Sequence, residues 1–245
     1  MNRALCELTF KTFHSNKALL TRGWKRTFPK AITRIIPRAF YARGTVTVAR
    51  SLLGKYLVRV RGNHRLVCRI VEVEAYRGRD DPASHAFHGM TPRNMPMFGQ
   101  PGRSYVYFTY GNHYCLNVTT QPAGKPGAVL IRAVEPLHGV EMMRQLRPGV
   151  TDLQLTNGPG KLTKALDIGK SLNQIDLTRN GPLFITKSSD EEPIIICRST
   201  RIGISLGKEQ LWRFYIRSNP YVSRRKPKSL TRAEIDLPEI RRLNT

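Results

Sequence analysis

The stretch KYLVRVRGNHRLVCRIVEVEA, residues 55–75, limits the fold more than any other part of the chain. Two runs rich in Val, Ile, Leu and Tyr are separated only by Arg-Gly-Asn. A three-residue turn cannot carry a crossover, so the strands 55–60 and 66–75 must lie side by side and antiparallel. The pattern recurs. Residues 104–120 form a second hairpin around Gly111-Asn112, and strands are expected at 127–136, in GPLFIT, in EEPIIICRSTRIGIS and in LWRFYIRSN. Helical segments are few: 45–53, stopped by Gly54 at a C-terminal cap, 139–147 before Pro148-Gly149, and 158–168. Strands following strands, with helices set between them only occasionally, predict one α+β domain on an antiparallel or mixed sheet with peripheral helices.

Charge narrows the partner. The chain carries 41 Lys and Arg against 17 Asp and Glu, a net +24. A solubilising surface needs far less, and a field of this sign and size favours a polyanion, above all nucleic acid. Between Met1 and Val71 the only acidic residue is Glu7. Residues 1–37 therefore read as a basic extension, either a targeting segment or a disordered arm, outside a domain spanning 38–223. Residues 224–245 read as a basic tail. No apolar run is long enough to span a bilayer. The cysteines Cys6, Cys68, Cys115 and Cys197 are scattered, with no C-x-x-C pair, so neither a metal centre nor a disulfide framework is expected. Reduced thiols point to a reducing compartment rather than secretion.

Candidate chemistry gathers in three places. In CRIVEVEAY, alternation puts Ile70, Glu72, Glu74 and Tyr76 on one face and Val71, Val73 and Ala75 on the other. Two carboxylates on one face are either a surface pair on the solvent side or a pair from which one serves as a base. The Gly- and Pro-rich segment 80–102, with His85 and His88, is a long loop of the kind that carries function. In YVYFTYGNHYCLNV, Tyr105 and Tyr107 share a face, and Tyr110 falls at the hairpin tip. A tyrosine in the core needs a hydroxyl partner, which makes Tyr107 either a cross-strand packing residue or a plate on which a base stacks. A ring at a tip is surface-exposed and suits a wedge between base pairs. Arg132, on an apolar strand, requires an acidic partner from Glu72, Glu74 or Glu135, or a phosphate. NGPGKL lacks the P-loop pattern. Its helix start and Lys161 suit either simple capping or a phosphate.

Taken together, ARSLLGKYLVR, RIVEVEAYRGRDDPASHA, TPRNMPMFGQPGRSYVYFTYGNHYCLNV, AVLIRAVEPLHGVEMMRQLR, NGPGKLTKAL and WRFYIRSNPYVS resemble the alkyladenine (methylpurine, 3-methyladenine) DNA glycosylases of the mammalian type. The resemblance covers roughly residues 38–223. It implies a single mixed domain built on a curved antiparallel β-sheet. It also implies a monomeric, monofunctional base-excision enzyme acting on double-stranded DNA that contains alkylated or deaminated purines: 3-methyladenine, 7-methylguanine and hypoxanthine. Glu74 then activates water, with Arg132 helping to hold it and Glu72 a mere neighbour. Tyr76, His85, Tyr107 and Asn117 line the base pocket, Tyr110 fills the gap in the duplex, and no cofactor or metal is required. Such an enzyme belongs in a bacterial cytoplasm, or in a eukaryotic nucleus or organelle. The chain departs from the family pattern in a loop one residue shorter after His85, in Asn112 and His113 at the tip, and in the added Lys125-Pro126. Those departures bear on substrate range. A non-catalytic damaged-DNA or RNA binder of the same fold is the competing expectation; it would keep the charge and the tyrosines without needing Glu74.

Overall fold

The computed structural model describes residues 34–109, 111–188, 193–223 and 239–241. Tyr110, residues 1–33 of the basic extension and all of the tail but 239–241 lie outside the described residues.

Nine strands form one antiparallel, curled sheet: β1 (Tyr56–Arg61), β2 (His64–Tyr76), β3 (Ser104–Thr109), β4 (His113–Thr119), β5 (Ala128–His138), β6 (Leu183–Thr186), β7 (Ile194–Ser199), β8 (Arg213–Ile216) and β9 (Glu239–Arg241). Four helices accompany it: α1 (Arg38–Tyr41), α2 (Thr45–Leu52), α3 (Val140–Leu146) and α4 (Pro159–Ala165). The main path runs β3-β4-β5-β2-β8-β7-β9, and β1 with β6 branches from β2. The α+β domain on a curved antiparallel sheet is therefore the observed architecture.

β2 organises the sheet. One of its edges pairs with β5 from Val67 to Tyr76. The other edge is shared: β1 takes His64–Arg69, and β8 takes Glu72–Glu74. A twisted strand cannot hold both partners in one plane, so the sheet splits between Arg69 and Glu72. The β2–β5 ladder is irregular at the same place, shifting register between Ile70 and Glu72 and again before Val73. Both faces of β2 are covered there. Val71, Val73 and Ala75 enter the main core, and so does Ile70, which plain alternation groups with Glu72 and Glu74; the register shift between Ile70 and Glu72 interrupts that alternation, and the two glutamates are buried on the other face.

The helices pack onto the core side. In α2, Thr45, Val48, Ala49 and Leu52 are buried at helical spacing, and Gly54 at φ +82° ends the segment. α4 packs on β4 and β5. Before α1, Ile35 already bridges to Thr186, and the Ile36 amide donates to the Ile185 carbonyl. At the other end, β9 pairs with β7.

One expected strand is shorter than its composition suggests. The run 191–205 is strand only to Ser199, and 200–212 is a loop. The 80–102 segment is irregular apart from a single 3-10 turn, Met95–Phe98. Buried Asn94 ties it together, donating from Nδ2 to the carbonyls of His85 (2.7 Å) and Gly89 (2.8 Å).

The hairpin β3–β4 is seated by Gly102, whose amide donates to the Thr119 carbonyl. Gly102 has φ +78°, and a Cβ there would lie 2.8 Å from Tyr41 Cδ2 and 2.7 Å from Thr178 Cγ2. Gly102→Ala should destabilise the fold by about 2 kcal/mol or more, combining left-handed strain with overpacking. Thermal unfolding of the variant against the parent chain measures it.

Candidate active site

Register places the chemistry. Tyr105 on β3 faces Asn117 on β4, Asn117 faces Leu130 on β5, and Leu130 faces Glu74 on β2. Residues opposite one another in antiparallel strands share a face, and so do residues two apart along a strand. Tyr107, Cys115, Arg132 and Tyr76 thus fall on the same side of the sheet as that row. Above them lies a cavity of about 410 Å³, walled by Tyr76, His85, Tyr105, Tyr107, Asn117 and Arg132, among others.

Glu72 and Glu74 are both fully buried, so the surface-pair reading is ruled out. Arg132 joins them, with Nε 3.2 Å from Glu72 Oε1 and Nη1 3.2 Å from Glu74 Oε2. Glu135, the third partner considered for Arg132, instead accepts from Asn219 Nδ2 at 3.1 Å. Burial alone would lower the affinity of the Arg132 guanidinium for its proton. Glu74 and Glu72 outweigh that, and its pKa is raised.

The two carboxylates differ in how fully they are engaged. Glu72 Oε1 accepts from Arg132 Nε, Arg213 Nε (2.7 Å) and Ser223 Oγ (2.8 Å), and its Oε2 accepts from the Ser223 amide (2.6 Å). Glu74 Oε2 accepts from the Tyr76 hydroxyl (2.8 Å) and Arg132, while among the described residues Oε1 accepts from the Ile202 amide alone (2.7 Å). A carboxylate has about four acceptor positions. Glu72 spends its capacity on structure. Glu74 accepts three bonds among the described residues, and all three donors line the cavity.

The opposite wall is aromatic. His85 Nδ1 lies 2.9 Å from the Tyr105 hydroxyl, and its ring meets that of Tyr107 edge-on at 4.7 Å. Tyr105 and Tyr107 stand 5.1 Å apart, and the Arg93 guanidinium sits 5.4 Å from the Tyr107 ring centre. Burial, followed by the Arg93 charge, holds the His85 pKa below the ordinary imidazole value. Burial pushes the Tyr105 phenol up to about 12 and those of Tyr76 and Tyr107 higher still, so all three stay protonated donors. Asn117 is fixed by donating from Nδ2 to the Tyr105 carbonyl at 3.1 Å.

The structure therefore gathers Tyr76, His85, Tyr107, Asn117 and Arg132 around one cavity, with Glu74 buried directly behind Tyr76 and Arg132. Tyr110 lies outside the described residues. Lys161 is apart from the cluster, exposed, with Nζ 2.8 Å from Asn157 Oδ1. The second glycine of NGPGKL has a packing reason: a Cβ on Gly160 would lie 2.4 Å from His113 Cδ2. Three contributors went unrecognised in the sequence. Tyr105 was placed on the correct face but given no role. Arg201 and Asp81 form a fully buried bidentate pair, at 2.6 and 2.7 Å, beside Tyr76. The only signal for Arg201 was a charge inside a run that reads as strand.

Residues 39–220 match the sequence profile of the family described as methylpurine-DNA glycosylase (MPG). Among curated proteins, the chain is 50% identical over 193 residues to a "Putative 3-methyladenine DNA glycosylase" of Carboxydothermus hydrogenoformans, covering 78% of this chain and 100% of that one. A protein of the same name from Methanocella arvoryzae is 47% identical over 197 residues, with coverage of 79% and 98%. One from Chlorobium phaeobacteroides is 46% identical over 188 residues, with coverage of 76% and 94%.

Two predictions follow from the buried charges. Glu72→Gln leaves Arg132 and Arg213 without their shared anion and should cost about 3 kcal/mol in urea unfolding. For His85, the unfolded chain takes up a proton as pH falls below about 6.5, whereas the folded ring resists it. Stability should drop as pH falls through that value and level off below the folded-state pKa. His85→Gln should flatten the dependence of Tm on pH between about 7 and 5.

Proposed function

The chain belongs to the methylpurine-DNA glycosylase family and is a hydrolase of N-glycosyl bonds in alkylated DNA; we propose that it is monofunctional, with Glu74 as the base that activates water. The observation that carries this reading is the state of Glu74. Its buried carboxylate is held by Tyr76, Arg132 and the Ile202 amide, all three at the cavity wall, and among the described residues Oε1 accepts from the Ile202 amide alone.

Water at Oε1 gives a proton to Glu74 as its oxygen attacks C1′ of the sugar. The N-glycosidic bond breaks, and its electron pair leaves with the base. In 3-methyladenine or 7-methylguanine the base is already cationic, so it departs neutral and no general acid is required. The Glu74 carboxylate also offsets the positive charge that develops on the sugar. Arg132 keeps the carboxylate and the water in line. It is held by Glu72 on one side and Glu74 on the other.

Selection falls to the far wall. A cationic purine gains roughly 0.5–2 kcal/mol for each aromatic face it meets, and Tyr76 and Tyr107 offer such faces. Asn117, with its Nδ2 committed to Tyr105, presents Oδ1 to the base edge and screens exocyclic groups. Neutral hypoxanthine lacks the cationic advantage and needs a donor. With the Tyr105 hydroxyl donating to Nδ1, neutral His85 supplies it from Nε2. Tyr110, at the tip of the hairpin, fills the space the flipped nucleotide leaves, and Lys161 meets a backbone phosphate. No lysine lines the cavity among the described residues. This supports a reaction that stops at an abasic site, without a Schiff-base step. The net charge of +24 supplies salt-dependent, sequence-independent hold on the duplex by a monomeric enzyme.

The test uses duplexes bearing one 7-methylguanine or one hypoxanthine, with alkali to reveal abasic sites. The parent chain should release base and give strand breaks only after alkali. Glu74→Gln should lose at least about 100-fold in single-turnover rate while still binding an abasic-analogue duplex. Tight binding with no base release from either lesion would favour a damage-binding protein instead, and breaks without alkali would mean a lyase step.

A further inference from the structure

Arg201 and Asp81 touch nothing that reacts, yet they adjoin the site on three sides. Both side chains are fully excluded from solvent. Arg201 Nη1 also donates to the Ala75 carbonyl at 3.0 Å, between Glu74 and Tyr76, and Nη2 donates to the Gly207 carbonyl at 3.3 Å. Its guanidinium carbon lies 4.8 Å from the centre of the Tyr76 ring and 5.1 Å from that of Trp212, so it packs against both rings. The residue after Arg201 is Ile202, whose amide is the one donor to Glu74 Oε1 among the described residues. Asp81, for its part, accepts from the amides of Arg77 (3.0 Å) and Ala83 (3.1 Å), fixing the start of the loop that delivers His85.

We infer that the buried Asp81–Arg201 pair is the positioning device of the site. It locks the 200–207 loop to the end of β2 so that the Ile202 amide aims Glu74 Oε1, and it holds the Tyr76 ring at the cavity wall. The inference rests on the reading of Glu74 as the base.

The chemistry of the pair supports this role over simple stability. A buried ion pair contributes little compared with apolar residues of the same volume, so stability alone gives no reason to build one. A guanidinium is the group that can grip a carboxylate with two parallel bonds, donate to two carbonyls and lie flat against two rings at once. An ammonium has three donors but neither the planar fork nor a flat face, so it cannot match the bidentate grip or the packing against the rings. The result is a linkage between two segments distant in sequence, 75–81 and 201–212, and the residue next to Arg201 supplies a donor to Glu74. Remote positioning of this kind is where displacements near 1 Å are felt as about 100-fold in rate.

The experiment compares Arg201→Lys with the parent chain. Arg201→Lys keeps a cation beside Asp81 but loses the fork and the flat contact with the rings. The expected result is a fall of about 30-fold or more in single-turnover release of 7-methylguanine. The Kd for an abasic-analogue duplex should stay within about 3-fold of the parent, and cooperative thermal unfolding should be retained. If Arg201→Lys does not fold, Asp81→Asn, which preserves shape and removes only the charge, is measured in the same way and should show the same split. Equal rates in variant and parent overturn the inference. So does a loss of rate matched by an equal loss of affinity, because a merely structural role predicts both to fall together. If the parent chain itself releases no base, the reading of Glu74 has failed, and that outcome is distinct from an active parent with an equally active Arg201→Lys.

Discussion

Glu72 and Glu74 lie two residues apart on one strand, both without solvent, and neither can stay there unless cations reach it. Much of the sheet can be understood from that requirement. β5 supplies Arg132 along one edge of β2, and β8 supplies Arg213 along the other. β8 can reach the edge only because β1 has already diverged from it, which is why the split in the sheet and the irregular ladder fall at the same residues. The segment closing the domain returns to the same point, where Ser223 donates twice to Glu72. Glu72 is thereby converted from a competitor into a support. It holds Arg132 by Nε and leaves Nη1 to reach Glu74.

Much of this was legible in the sequence. The three-residue turn in 55–75 forced an antiparallel pair, and the alternation in VEVEAY put both carboxylates and Tyr76 on one side. The spacing in YVY set Tyr105 and Tyr107 together above them. Alternation could not say which carboxylate would be free, because Glu72 and Glu74 are equivalent in a period of two. The difference is made by Arg213 and Ser223, 141 and 151 residues away along the chain, and no local pattern encodes contacts of that range. The same limit hid Arg201. In IIICRSTRIGIS the hydrophobic run continues past the point where β7 stops, and its composition looks like strand throughout. What ends the strand is a tertiary bond, the 120-residue reach to Asp81, which outweighs local propensity.

The electrostatics of the molecule work on two scales. At long range the chain is strongly cationic, and that field draws in any nucleic acid regardless of sequence or damage. At and behind the cavity wall the charges are instead paired. Arg132 and Arg213 are matched by Glu72 and Glu74, Arg201 by Asp81, and the remaining walls are largely aromatic and neutral. On the proposed reading, a positively charged purine can therefore enter a protein of net +24 without meeting an uncompensated cation among Arg132, Arg201 and Arg213. Arg93 is the exception, and it lies at the exposed rim, against the Tyr107 ring. A cation there competes with a stacked cationic base for the same face, so entry of the base should displace it toward solvent.

This arrangement explains how discrimination can be strong with so few polar contacts to the base. Aromatic faces offer a charged purine only about 0.5–2 kcal/mol each, less than what separates a rare lesion from a large excess of normal bases. On the proposed mechanism, the remainder comes from the substrate. A base that leaves neutral needs no acid, and the cavity, with tyrosines whose protons are held tightly and a histidine whose pKa is depressed, offers a poor one. A normal purine that strays into the pocket meets an activated water but no strong acid to protonate it on departure, and unless it can take the His85 Nε2 hydrogen bond proposed for hypoxanthine it has no help in leaving. On that mechanism burial keeps His85 neutral and the tyrosines protonated, so an uncharged purine can draw only on hydrogen bonds from the pocket and leaves more slowly than a cationic one, and the site selects through the acid it withholds as well as through the base it provides.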